Sequence, residues 1–248
     1  MEQTEKKNKL FIVLGFIFLT NAIIAEFIGA KIFSLEVSLG LDGANINLLG
    51  STFNFDMTAG VILWPFVFIL TDIINEYYGR NGVRKLSYLT VIMLIYSFVM
   101  VRIAMNLEGA EFWKKSSEGK GIQNMGNAFD SVFGQGLWII LGSLVAFLIG
   151  QLVDSYIYSK LKDKTGDQLI WIRATGSTVV SQFIDSYVVL IIAFYIGGSY
   201  SFIWVLQVGT INYLYKLFMA VILLPLLIGI HKIIDNYLGL NHKVTQTT

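Results

Sequence analysis

Apolar residues run along this chain in stretches of about 20, without the apolar–polar alternation of a strand. The stretches are approximately Leu10–Ala30, Thr58–Tyr77, Leu86–Met105, Gly136–Tyr158, Ala174–Ile196 and Leu206–Ile230. At about 1.5 Å of rise per residue, each is long enough to cross a hydrocarbon core of about 30 Å. The pattern predicts an all-α polytopic membrane protein with six transmembrane helices, forming one domain over residues 1–248. Three helices followed by three would make two halves of inverted orientation, with the second and fifth helices in corresponding places.

Composition agrees. The chain is 55% hydrophobic and 14% charged, against about 25% charged in soluble domains. The net charge of +1 comes with no basic tract along one face, so no nucleic-acid partner is expected. Cysteine is absent, which excludes disulfides and thiolate chemistry. The charged start MEQTEKKNKL precedes an apolar run that carries Asn21 and Glu26, and it reads as an uncleaved first helix.

Basic residues segregate. Lys6, Lys7, Lys9, Arg80, Arg84, Lys85, Lys160, Lys162, Lys164, Arg173, Lys232 and Lys243 fall on one side, against Lys31, Arg102, Lys114, Lys115 and Lys120 on the other. The richer side is cytoplasmic by the positive-inside rule, so both termini are expected there. Of the two long outer segments, Lys31–Met57 suggests a short strand pair or a re-entrant piece. Asn106–Gln135 carries Phe112, Trp113, Phe129 and Phe133, suited to the outer membrane surface.

The polar residues inside the apolar stretches are the candidate chemistry. In the second, Asp72, Asn75 and Glu76 sit at i, i+3 and i+4 and share one helical face. A carboxylate at membrane depth is costly and marks a substrate or proton path; the plainer reading puts Asp72 and Glu76 in the wet interface. Ser143, Gly150 and Asp154 fall on one stripe of the fourth helix, with Gln151 at its edge. Thr178, Ser181, Gln182 and Asp185 form a stripe on the fifth. Hydrogen bonding between helices accounts for Ser143 and Thr178, but not for Asp185 about eleven residues from either end. In the sixth, Gly209, Asn212, Tyr213 and Lys216 align, and a buried lysine calls for a carboxylate: Asp154, Asp185 or Glu76. Phe66, Tyr77, Tyr187 and Tyr213 flank these stripes and are more simply packing residues than stacking platforms.

Other chemistries lack their residues. EGKGIQ at Glu118–Gln123 has the wrong spacing for a P-loop. His231 and His242 are the only histidines, with no zinc or protease arrangement around them. No metal, cofactor or catalytic group is expected, and the chain does not read as an enzyme.

PFVFILTDIINEYYGR, AFLIGQLVDSYIY, RATGSTVVSQFIDSYVVLIIAF and YKLFMAVILLPL, in this order, resemble the YhhQ-type proteins, the vitamin uptake transporter family. The resemblance runs from about Thr58 to Leu227. It rests on the combination TDxxNExYG, GQxxD and RxxxSTxxSQxxDS, which takes in Asp72, Asn75, Glu76, Gly79, Gln151, Asp154, Arg173, Thr178, Gln182 and Asp185, with Pro65, Lys216 and Pro225 outside it. The first helix matches weakly, and Glu108–Asp130 is longer than in the enterobacterial members.

The resemblance implies import of a queuosine precursor, 7-cyano-7-deazaguanine or 7-aminomethyl-7-deazaguanine, across the bacterial inner membrane. Asp185, Gln182, Glu76, Asn75, Asp72, Gln151, Asp154, Thr178 and Lys216 are then the candidate substrate-binding residues. A carboxylate would accept the paired N–H donors of the base, an amide would meet its carbonyl, and Asp185 with Gln182 is the favoured pair. The partners expected are a small heteroaromatic substrate and the bilayer, with a homo-oligomer compatible. The alternative reading is the substrate-binding membrane subunit of an ATP-driven vitamin or heterocycle importer.

Overall fold

The computed structural model describes residues 2–43, 45–48, 51–134, 136–166, 169–198 and 200–240. His242 and Lys243, and the segment bounds Gln135 and Ser199, lie outside them. Helix α1 spans Glu2–Ile28. The segment after it holds β1 (Ile32–Ser34), α2 (Leu35–Ser38), β2 (Ile46–Leu48), β3 (Ser51–Phe53) and β4 (Asp56–Thr58). β1 pairs antiparallel with β4, and β2 with β3, so this segment forms two short strand pairs. Glu36 ties it together by accepting from Ser34 Oγ at 3.0 Å and from the Phe55 amide at 2.8 Å.

The rest is helical: α3 (Trp64–Met105), α4 (Glu111–Lys114), α5 (Met125–Phe133), α6 (Leu137–Thr165), α7 (Ile170–Leu190), α8 (Phe202–Ile222) and α9 (Leu224–Leu238). A π-helical turn, Ile191–Ile196, extends α7. Among the described residues five helical stretches are long and apolar enough to cross a membrane, and they contain α1, α3, α6, α7 with its π turn, and α8.

α3 is not one straight rod. Its 42 residues would reach about 63 Å at 1.5 Å each, twice a hydrocarbon core. Gly79 interrupts it with φ 67° and ψ −178°, a conformation open essentially to glycine alone. α1 reports the direction of each arm. A Cβ on Gly60, just before α3, would meet the Ala25 carbonyl near the end of α1, while the Phe98 ring in the last turns of α3 lies 5.9 Å from the Phe27 ring, tilted against it. Tyr78, beside the break, donates to the Lys7 carbonyl at the start of α1. Both ends of α3 therefore meet one end of α1, and the chain reverses at Gly79.

The same end as Gly79 gathers the α6–α7 connection, where Lys162 and Arg173 reach Glu76. It also holds the end of α9, whose Leu238 carbonyl accepts from Gln3. The opposite end holds Ser143 of α6 against Glu26 of α1. The sixth apolar stretch departs from the expected single helix: it breaks at Leu223, and Pro225 opens α9, where its missing N–H costs no helical bond.

The packing is that of a protein in lipid. Phe16, Ile92, Phe183 and Phe218 point outward, between 50% and 66% exposed, while Thr71, Gln151, Arg173 and Gln182 are 0–1% exposed. Polar side chains face inward because hydrocarbon offers them no partner.

Candidate functional site

Five polar positions, four of them buried, stitch α3 to α6. Thr71 Oγ1 donates to Gln151 Oε1 at 2.6 Å, Asn75 Nδ2 donates to the Ser155 carbonyl at 3.0 Å, and Ser159 Oγ donates to Asn75 Oδ1 at 3.2 Å. Thr71 and Asn75 on α3, and Gln151, Ser155 and Ser159 on α6, recur about one turn apart at i, i+4. Asn75 and Gln151 are thus engaged between helices.

Glu76 ends this ladder as the centre of an ion-pair network. Its carboxylate accepts from Arg173 Nη2 at 3.0 Å and from the Tyr158 hydroxyl at 2.9 Å, and lies 3.1 Å from Lys162 Nζ. Arg173, with its side chain 1% exposed, also donates to the Gly166 carbonyl. Asp72 is buried at 4% exposure, and the Glu76 side chain is 12% exposed.

The stripes predicted on α6, α7 and α8 face one another. Asp154 Oδ1 accepts from Ser181 Oγ at 2.9 Å. Asp185 pairs with Lys216, Nζ to Oδ2 at 2.5 Å, and a Cβ on Gly150 would lie 3.4 Å from the Asp185 Cβ. Gly209 lies under the Tyr187 ring, 2.6 Å from where its Cβ would be, so α7 and α8 approach closely there. Tyr187 and Tyr213 are held by Thr210 Oγ1 and the Val179 carbonyl, and Phe66 faces outward, so these rings pack rather than line a site. Glu26 is buried and accepts from Ser143 Oγ at 2.8 Å.

A narrow cleft opens between the first arm of α3, α7 and the α8–α9 junction. Asp72, Thr178 and Lys216 are the candidate residues in its lining, with Pro65, Phe68 and Leu223 among its apolar walls. Its empty space is about 440 Å³ counted out to its open side, but only about 30 Å³ admits water-sized spheres. The smaller figure limits what fits: the cleft has room for a few waters. No α6 residue is in this lining. Gln151, Asp154, Gln182 and Asp185 are not in its lining.

Several buried polar atoms find no hydrogen-bond partner among the described residues: Asp72 Oδ1, Asp154 Oδ2, Gln151 Nε2, Ser186 Oγ and both amide atoms of Gln182. Such atoms are rare in stable interiors and mark places where water or a ligand completes the site. Among the described residues no group of three acidic or histidine side chains is placed to hold a metal ion.

One cluster escaped the sequence reading. Tyr77 donates to Asp235 Oδ1 at 2.7 Å, lies 3.0 Å from His231 Nδ1, and stacks on the His231 ring at 5.3 Å. Asp235 lies beyond the sixth apolar stretch, so no intramembrane signal pointed to it. The i, i+4 spacing of His231 and Asp235 was the available cue.

Among curated proteins, the chain is 32% identical to the "Probable queuosine precursor transporter" of Bacillus subtilis over 197 residues, 78% of this chain and 80% of that one. It is 26% identical to the Haemophilus influenzae protein of the same description, over 88% of this chain and 85% of the relative. It is 23% identical to the "Queuosine precursor transporter" of Escherichia coli, over 71% of this chain and 73% of the relative. No solved structure matches. Residues 58–230, which hold the α3–α6 ladder, the Glu76 network, the Asp185–Lys216 pair and the cleft, match the family described as "Putative vitamin uptake transporter", and this chain belongs to that family.

Proposed function

We propose that this chain imports a queuosine precursor, 7-cyano-7-deazaguanine or 7-aminomethyl-7-deazaguanine, across the bacterial inner membrane. The observation that carries the reading is the likeness to three queuosine precursor transporters, each over at least 71% of this chain. The polar interior supports it, since carboxylates and amides at membrane depth are what a flat, hydrogen-bonding base requires. The transport domain is the whole chain. α1, the two arms of α3, α6, α7 and α8 make six crossings, three on each side of the outer α4–α5 segment, and so two inverted halves. The end that gathers Lys7, Arg80, Lys162 and Arg173 faces the cytoplasm, with both termini.

The site residues are Asp72, Thr178 and Lys216 on the cleft, backed by Gln182, Asp185, Gln151 and Asp154, with Glu76 and Asn75 closing its cytoplasmic side. The cleft is too narrow for a bicyclic base as it stands. Import therefore passes through a wider state, as alternating access requires. Proteoliposomes holding the purified chain alone should accumulate radiolabelled 7-cyano- or 7-aminomethyl-7-deazaguanine saturably. Uptake that appears only after ATPase and scaffold subunits are added would overturn the stand-alone transporter.

A further inference from the structure

We infer that Asp72 and Lys216 together read the hydrogen-bonding edge of a guanine-type base, and that Asp185 is the positioning residue for Lys216. The inference rests on the reading of the cargo as a 7-deazaguanine. It moves base recognition from Asp185, the carboxylate that sequence alone favours, to Asp72.

The cleft selects these two residues. Among its lining side chains Asp72 and Lys216 are the charged ones, and the remainder are apolar apart from two threonines. Asp72 is 4% exposed and its Oδ1 has no hydrogen-bond partner among the described residues. A buried carboxylate oxygen left in this way costs free energy until a donor reaches it. Asp185 is placed differently. It is absent from the lining, and its Oδ2 is taken by Lys216. An ammonium has three donors, so after Asp185 takes one Lys216 has two more to give.

The edge of a guanine-type base presents a carbonyl, a ring N–H and an amino group in a row. A carboxylate accepts the last two in parallel, and an ammonium beside it donates to the carbonyl. Asp72 and Lys216, which line the same cleft, supply that complement. An adenine-type edge sets an amino group against the ammonium and a lone pair against the carboxylate, so both contacts fail. A xanthine-type edge sets a second carbonyl against the carboxylate. A hypoxanthine-type edge keeps the carbonyl and ring N–H and loses one bond. A site built to hydrogen-bond rejects mismatched partners by up to about 10⁴-fold.

The test uses the full-length chain in nanodiscs. Unlabelled 7-deazaguanine, 7-deazahypoxanthine, 7-deazaxanthine and 7-deazaadenine compete against radiolabelled 7-cyano-7-deazaguanine. The expected order is 7-deazaguanine first, 7-deazahypoxanthine about 10–100-fold weaker, and the other two weaker by about 10³-fold or more. Equal competition by 7-deazaguanine and 7-deazaadenine overturns the inference while import stands. No binding of the labelled base at all overturns the import reading as well. Asp72→Asn should cost 7-deazaguanine at least 100-fold but 7-deazahypoxanthine less than about 10-fold, because the amide still accepts one N–H. A merely structural role would weaken both alike and leave their ratio unchanged, which would overturn the assignment. If Asp72→Asn does not yield folded protein, Asp72→Glu is the second variant. It keeps the charge but displaces the oxygens, and wild-type affinity in it would overturn the assignment equally.

Discussion

Lys216 Nζ lies 2.5 Å from Asp185 Oδ2, joining α8 to α7 at membrane depth with both side chains less than one-fifth exposed. Neither charge has water to fall back on. Removing one partner leaves the other uncompensated, a loss of about 3–5 kcal/mol for buried pairs, whereas replacing both by apolar groups of similar volume is often neutral. Lys216→Ala or Asp185→Ala alone should therefore lower the melting temperature in detergent strongly. Asp185→Leu with Lys216→Met should recover most of the loss and still not transport. Equal melting temperatures for the single and double variants would show that the pair is not coupled.

Glu76 and Arg173 form a second buried pair, and here geometry matters as much as charge. Arg173 donates both to Glu76 Oε2 and to the Gly166 carbonyl, spanning the α6–α7 connection and the end of the first α3 arm. Two different nitrogens of the planar guanidinium meet these acceptors, a geometry that lysine's compact ammonium does not reproduce. Arg173→Lys should behave nearly as badly as Arg173→Ala, with both giving little monodisperse protein on gel filtration. A wild-type elution profile for Arg173→Lys would mean that charge alone suffices.

Gly79 is where the long α3 folds back. A Cβ there would meet nothing within 4 Å, so the cost of substitution lies in the backbone alone. With φ 67° and ψ −178°, the residue is outside the left-handed helical region that asparagine tolerates. Gly79→Ala and Gly79→Asn should both destabilise by about 1–3 kcal/mol, with no advantage for asparagine. Rescue by asparagine in a thermal melt would place the turn in the left-handed region instead.

Much of this was legible in the sequence because hydropathy and helical spacing act locally. The two arms of α3 show as two apolar runs separated by the polar residues around Arg80–Lys85, and the stripes of α6, α7 and α8 align residues that do meet. The choice of Asp185 over Asp154 as partner of Lys216 was not legible, because it depends on how α8 rotates against α7. That rotation is set by Gly209 under Tyr187, a contact between helices that no single-helix pattern encodes. The break at Leu223 was hidden too: the apolar run continues through it, and a proline at a helix start looks the same in sequence as one within a helix. The Tyr77–His231–Asp235 cluster was missed because its partners, His231 and Asp235, lie just past the sixth apolar stretch.

The last prediction concerns the number of crossings. The chain has no native cysteine, so each introduced thiol is unique. Gln3, Arg80, Asp163 and Tyr237 are exposed at the end that gathers the α1 start, the Gly79 turn, the α6–α7 connection and the α9 end. Leu41, Phe112 and Tyr200 are exposed in segments that follow the opposite helix ends. With six crossings, cysteines at the first four positions should react with a membrane-impermeant maleimide only in inverted vesicles, and those at the last three only in intact cells. If α3 crossed once as a single rod, Gln3 and Tyr237 would report from opposite faces. Labelling of those two from different sides would remove both the turn at Gly79 and the inverted halves, whereas labelling from the same side requires an even number of passes.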